Sequence, residues 1–440
     1  MIKIGFASLG CPKNQVDGEI MLSKLKSENF EITPYEDEAD VIIVNTCGFI
    51  ESAKQEGIDT ILEIANLKKS GKLKALIATG CLAERYREEL MEQIPEIDAV
   101  VSIGRNADIA DIVEKTLEGN HEGYFGEKEA LPLEGKRVII NEPYYAYLKI
   151  AEGCNNRCSY CAIPLIRGKM RSRTIESIVE EAKNLAGNGV KELIVVAQDT
   201  TRYGEDIYGK CELPQLLKEL CKIEKLHWIR ILYAYPERVT DELIDVMANQ
   251  EKIVKYLDIP IQHCNDELLK KMNRAGNHRT IVDTIAKLRA KMPGIILRTS
   301  LICGFPGETE EAFRELSEFV KETRFERLGC FAYSAEEDTP AAEFENQIPE
   351  DVKSERTDII MEQQSFIASD ISQGMIGKEL EVLVEGYDTY IKHFYGRSYA
   401  DAPDIDCKVF FTSDKKLKSG EFVNVKIIDT LEMDLLGEMA

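Results

Sequence analysis

The chain has 440 residues, with 55 Lys or Arg against 78 Asp or Glu and a net charge of −23. That length exceeds one ordinary core and calls for two or three domains. The longest apolar stretches, 41–44 and 193–197, fall far below the ~18 residues of a membrane span, and the acidic balance disfavours a phosphate-bearing partner while fitting a basic protein.

Twelve cysteines in a chain of this length point to a reducing cytoplasm and to metal ligation, not to a disulfide framework. Ser8-Leu9-Gly10-Cys11 lacks the long apolar region of a secretory signal before it.

Residues 1–118 alternate short apolar strands with amphipathic helices, which predicts an open parallel α/β sheet. Strands are expected at 3–7, 41–45 and 75–79. Each is followed by a cysteine in a Gly-containing turn: Leu9-Gly10-Cys11, Thr46-Cys47-Gly48 and Thr79-Gly80-Cys81. Ligands of such sheets bind beyond the carboxyl ends of the strands, so this topology brings Cys11, Cys47 and Cys81 to one edge as a second set of three thiolates. Their spacing matches no short metal motif, and lone cysteines are often buried filler. Residues 119–143, rich in Gly, Glu and Pro, are expected to form a linker.

From 144 to 373 the alternation resumes with a longer repeat. Strands are expected at 145–150, 192–197, 228–232, 256–259, 295–302 and 328–333, followed by a helical connector at 350–373. Six strand and helix units predict an incomplete parallel (β/α)6 barrel with its chemistry on loops at the carboxyl ends of the strands. In the first of these loops, Gly153-Cys154-Asn155-Asn156-Arg157-Cys158-Ser159-Tyr160-Cys161 packs three thiols as C-x-x-x-C-x-x-C. A structural zinc site wants four closed ligands, whereas an iron–sulfur cube held by three thiolates keeps one iron open. A zinc site completed from a distance, or cysteines filling a core, are the alternatives.

Other polar or Gly-rich segments fall on the same rim: Gln198 and Asp199, Gln262 and His263, Arg298, and Gly304-Phe305-Pro306-Gly307-Glu308-Thr309. The glycines would allow close backbone approach to a ligand, and Thr309 can cap a helix. Singly, each is equally well a salt bridge or a solvated turn. Arg167-Gly168-Lys169-Met170-Arg171-Ser172-Arg173 is a basic patch that either balances acidic surroundings or lines a channel. Cys211, Cys221, Cys264, Cys303, Cys330 and Cys407 show no mutual metal spacing and read as core or surface thiols. Residues 374–440 alternate charged and apolar positions, which predicts a small antiparallel β-barrel. From Ile376 onward, eight Lys or Arg face thirteen Asp or Glu, so this unit should repel phosphates.

The Cys154, Cys158 and Cys161 motif, with Tyr160 before the last thiol, resembles the radical S-adenosylmethionine (radical SAM) signature. The last unit resembles a TRAM domain, which binds RNA in many relatives. The full three-part order resembles the methylthiotransferase family. Ser8-Leu9-Gly10-Cys11-Pro12-Lys13-Asn14, the segment 151–161 and Gly396-Arg397-Ser398-Tyr399-Ala400-Asp401-Ala402-Pro403 are similar to the branch that modifies an aspartate of the small-subunit ribosomal protein numbered twelve. The sister branch acts on tRNA adenosine and usually carries Gln where this chain has Pro12. Cys264 departs from the pattern of the ribosomal-protein branch, in which an Ile or similar residue is expected.

What the resemblance implies is a 4Fe-4S cluster on Cys154, Cys158 and Cys161 that cleaves SAM to a 5′-deoxyadenosyl radical. It also implies a second 4Fe-4S cluster on Cys11, Cys47 and Cys81 that presents sulfur. One SAM would serve as methyl donor and another as radical source. Tyr160, Gln198, Gln262, Arg298, Gly304 and Gly307 would line the SAM pocket, with Arg298 able to pair with its carboxylate. The expected partner is the basic ribosomal protein, alone or with the ribosome, and not tRNA or a membrane; the reductant and sulfur donor are not specified. The alternatives are the tRNA-modifying activity and a non-catalytic iron–sulfur or RNA-binding protein.

Overall fold

The computed structural model describes residues 1–69 and 71–440. The first unit is a six-stranded parallel sheet built from β1 (Lys3–Ser8), β2 (Glu31–Ile32), β3 (Val41–Thr46), β4 (Ala75–Gly80), β5 (Ala99–Val101) and β6 (Glu122–Tyr124). The spatial order is β2-β1-β3-β4-β5-β6. β3 and β4 are buried at every position, which fits their continuous Val, Ile, Leu and Ala runs in a sheet covered on both faces. Helices α1 (Pro12–Ser27), α2 (Glu51–Lys68), α3 (Cys81–Gln93) and α4 (Ile109–Leu117) supply that cover. β6 lies in the stretch expected to be linker. It pairs with β5 through Ala99 opposite Glu122, and only three residues long, it gives too little alternation to be read from sequence.

The second unit is an open sheet of six parallel strands: β7 (Tyr145–Lys149), β10 (Glu192–Val196), β11 (Trp228–Ile231), β12 (Ile253–Asp258), β13 (Ile296–Cys303) and β14 (Arg327–Ala332), side by side in that order. Between β7 and β10 lie β8 (Ala151–Glu152) and β9 (Arg171–Ser172), a two-stranded pair that braces the three-cysteine loop. The main core sits between this sheet and its outer helices, including Leu148, Val195, Ile231, Leu257 and Leu316, all fully buried. The six strand positions expected from sequence are all present.

Residues on the inner face of the half-barrel pack on other parts of the chain. Val16 of α1 joins Tyr147, Ile194, Val196, Tyr256 and Ile296, and so do Leu383, Ala400 and Ala402 from the third unit. That unit is a closed barrel of β15 (Glu379–Asp388), β16 (His393–Ser398), β17 (Val409–Thr412), β18 (Phe422–Leu431) and β19 (Asp434–Met439). All its neighbouring strands are antiparallel except β17 and β19, which run parallel. The helix Glu350–Gln373 leads into it. Ion pairs fix its docking: Glu192 of β10 meets Arg230 Nε at 2.8 Å and Arg397 Nη2 at 2.8 Å. No helix among the described residues is long and apolar enough to cross a membrane.

Candidate functional site

β1, β3 and β4 are adjacent, and their carboxyl ends deliver Cys11, Cys47 and Cys81 to one edge. Cys11 occupies the N-cap of α1, and Cys81 is the first residue of α3, so two of the three thiols sit at helix starts, where the dipole favours negative charge. Gly10 and Gly80 both take positive φ (87° and 91°) in the turns before these cysteines. A Cβ on Gly10 would lie 2.8 Å from Cys47 Cβ, and one on Gly80 would lie 2.4 Å from the Thr46 carbonyl oxygen. The turns therefore close on each other too tightly for any side chain. Asn14 Nδ2 donates to the carbonyls of Leu9 (2.9 Å) and Thr46 (3.2 Å), tying the Cys11 and Cys47 turns together. Burial, with Cys81 and Cys11 alongside, pushes the Cys47 thiol up to about 12, and burial raises Cys81 as well.

The second trio lies on the loop after β7 and β8. Gly153 has φ 78° because Lys169 crosses directly over it, where a Cβ would sit 2.2 Å from the Lys169 carbonyl oxygen. Ser159 N donates to Met272 O (3.0 Å), Asn273 Nδ2 to Arg157 O (2.8 Å) and Asn156 Nδ2 to Asp199 Oδ2 (2.7 Å). The loop is thus pinned by two separate rim segments, 272–273 and Asp199. Polar groups lie beside two of its sulfurs: Asn156 N donates to Cys154 Sγ at 3.5 Å, and Tyr235 Oη is 3.7 Å from Cys158 Sγ. Burial pushes the Cys154 thiol up to about 11.

The two trios are physically joined. Arg167, six residues after Cys161, donates Nη2 to Cys81 Sγ at 3.1 Å and to Asn14 Oδ1 at 3.1 Å. The same guanidinium is held by Asp17 of α1 and by Glu152 (3.2 Å), both of which also bind Lys149. All four charged side chains are at most 2 % exposed. The segment Tyr233 to Tyr235, beyond β11, makes a second link: Tyr235 contacts Cys158, and the Tyr233 ring lies under Lys13 Nζ, 3.4 Å from its centroid. Outside the chamber, Glu336 clamps Arg85 (2.7 Å) and Lys54 (3.3 Å) of the first unit.

The donor chemistry suits iron–sulfur cubes. Two Zn–S bonds of ~2.3 Å keep the thiolates of one ion within ~4.6 Å of each other. Among the described residues, neither cysteine trio gathers all its sulfurs within 4.8 Å; Cys264, His278 and Glu315 do form such a set. Three thiols with polar groups beside Cys81, Cys154 and Cys158 are the donor type that an iron–sulfur cluster takes. At Cys264, which sequence reading took for a core thiol, Glu315 already accepts from Asn265 Nδ2 at 2.7 Å, and a His278 ring nitrogen lies 3.2 Å from the Cys264 carbonyl oxygen.

The remaining rim residues divide. Gln198 Nε2 donates to Glu152 Oε1 at 2.6 Å, which places it beside the ionic link between the trios. Tyr160 packs with Leu268, Met272 and Phe305. Gln262 has φ 70° and bridges to Leu301 across the sheet edge. Arg298 is paired with Asp258 at 3.0 Å and lies 3.7 Å from Asp406 of the third unit, so its charge is already matched within the chain. The space at Gly304 and Gly307 is taken by Lys353 and Lys271 side chains, at 2.2 and 2.6 Å from a built Cβ; the close neighbours there are the chain's own. His263 is fully buried, its Nδ1 accepting from Cys264 N and Asn265 N at 2.9 Å each. Sequence reading missed Lys13, Asp17, Lys149 and Glu152, because single charged residues on a helix and a strand give no motif.

Comparison with known proteins agrees with this geometry. Residues 148–320 match the Radical SAM superfamily, residues 3–102 the family described as Uncharacterized protein family UPF0004, and residues 376–440 the TRAM domain. Relatives named ribosomal protein uS12 methylthiotransferase RimO include those of Thermoanaerobacter sp. (strain X514), 52 % identical over all of both chains, and Clostridium botulinum (strain Eklund 17B / Type B), 52 % identical over 99 % of this chain and 97 % of that one. Among solved structures, the radical SAM methyltransferase TsrM from Kitasatospora setae aligns with a TM-score of 0.57 at 15 % identity, covering 78 % of this chain and 75 % of its own. The cobalamin-dependent radical enzyme OxsB aligns at 0.52 and 13 % identity, covering 83 % and 56 %; both likenesses speak to the fold. Three matched units in this order, with half of all residues identical over the full length, show that the chain belongs to the RimO family of radical SAM methylthiotransferases.

Proposed function

We propose that this enzyme adds a methylthio group to the β-carbon of an aspartate in small-subunit ribosomal protein uS12, with one SAM as methyl donor and one as radical source. What supports the reading is that the two units carrying the cysteine trios are linked at those trios, by Arg167 on Cys81 and by the Tyr233 to Tyr235 segment between Lys13 and Cys158. Cys154, Cys158 and Cys161 hold the 4Fe-4S cluster of the radical SAM unit, and Cys11, Cys47 and Cys81 hold a second. When bound, these groups with SAM supply hydrogen-atom abstraction at one end of the chamber and sulfur at the other.

The protein's own part is positional. Asn156 N–H points to Cys154, the Tyr235 hydroxyl lies beside Cys158, and Arg167 donates to Cys81, so polar groups stand against sulfurs of both trios. Val16 of α1 packs on the inner face of the half-barrel and so holds the two units together, and a site held in this way favours meeting of an activated carbon and sulfur before side reactions. The acidic third unit favours a basic protein over RNA. Reductant and sulfur donor are outside the chain, in a reducing cytoplasm.

The test is direct. Anaerobically reconstituted enzyme, SAM, reductant and a sulfur source are incubated separately with the ribosomal protein and with tRNA, and each is examined by mass spectrometry. A methylthio increment on the protein is expected; an increment only on tRNA rejects the assignment.

A further inference from the structure

Lys13 is 7 % exposed and sits in the first turn of α1, two residues after Cys11. The other cations buried in this chamber, Lys149 and Arg167, are each held by Asp17 and Glu152. Lys13 differs. Among the described residues no carboxylate oxygen comes within 4.0 Å of its ammonium, whose close partner is the Tyr233 ring face at 3.4 Å. A ring face offsets only part of what burying an ammonium costs, so the setting favours an anion beside it.

The position specifies which anion. Tyr233 lies two residues before Tyr235, and Tyr235 Oη is 3.7 Å from Cys158 Sγ. Lys13, two residues after Cys11, therefore packs on the same short segment that contacts the other trio. On the function proposed above the reacting carbon lies between the trios, and in an aspartate this carbon carries the carboxylate directly. We propose that Lys13 receives the side-chain carboxylate of the substrate aspartate and holds its β-carbon between the two trios, which makes it the residue that selects aspartate over an uncharged side chain. This rests on the function proposed above.

The experiment uses the reconstituted holoenzyme, iron and sulfide content matched, as wild type, Lys13→Met and Lys13→Arg. Two peptides copying the target loop are compared, one with the aspartate and one with asparagine in its place, for binding and for kcat and KM of methylthiolation. Wild type should prefer the aspartate peptide about tenfold or more, as a charge-assisted contact warrants. Lys13→Met should bind the two alike, mainly through a raised KM for aspartate, and Lys13→Arg should restore most of the preference. A Lys13→Met enzyme that keeps the preference, with only its cluster potentials moved, overturns the inference and leaves the function standing, since Lys13 then serves the iron–sulfur group. Wild type that binds and modifies neither peptide overturns both.

Discussion

Arg167 Nη2 donates a hydrogen bond to Cys81 Sγ at 3.1 Å, so a residue of the half-barrel reaches a thiol of the first unit. Donors to cluster sulfurs raise reduction potential by stabilising the added electron. Arg167→Lys should therefore lower the potential of the second cluster proposed on Cys11, Cys47 and Cys81 by on the order of 60 mV, the equivalent of about 1.4 kcal/mol for one electron. An EPR-monitored redox titration checks this, and the other cluster should be unmoved.

Alanine at Cys154, Cys158 and Cys161 should abolish release of 5′-deoxyadenosine from SAM under dithionite. The same change at Cys11, Cys47 and Cys81 should spare that release and stop methylthiolation. Iron should fall from about eight per chain to about four in either triple variant, and a second variant that still transfers sulfur refutes the division of labour.

Gly80→Ala places a methyl group 2.4 Å from the Thr46 carbonyl oxygen at a φ of 91°. The expected cost is about 1–3 kcal/mol of strain, expressed at the next residue, Cys81. Thermal melting should show a modest loss, while iron analysis shows depletion of the first trio and SAM cleavage persists.

At Glu192, burial would push the carboxyl up, but Arg397 and Arg230 outweigh it and hold it below its usual range. A depressed folded-state pKa contributes stability that is present above the unfolded value of about 4.3 and is lost as pH falls through the folded one. Glu192→Gln leaves two buried guanidinium groups without their charge partner and should cost about 3–5 kcal/mol at pH 7. Melting at neutral pH against about pH 3 should show that gap narrowing under acid.

Strand positions and the gathering of Cys11, Cys47 and Cys81 at one sheet edge were legible in the sequence for a common reason: apolar runs ending in Gly-Cys or Cys-Gly turns state a strand and its carboxyl end at once. Cys47 and Cys81, 34 residues apart, meet because β3 and β4 are neighbours, and topology alone predicts that. Arg298 illustrates the opposite case. Its place in β13 was plain, yet its partner Asp406 belongs to another unit, and no local pattern records a contact 108 residues away. Lys13 was hidden likewise, since its setting is made by Tyr233, a rim residue held at φ 61°. Gly304 and Gly307 show that a Gly-rich turn on a rim can serve the chain's own side chains, here Lys353 and Lys271.

Leu383, Ala400 and Ala402 press into the half-barrel beside Tyr145, Trp228 and Ile296, residues at the starts of its strands. That end is stoppered. Cosubstrate and protein target then meet the half-barrel from the carboxyl ends of its strands, the side that carries the cysteine loop. Whatever docks there first governs the traffic of everything smaller, so order of arrival becomes a property of the architecture itself.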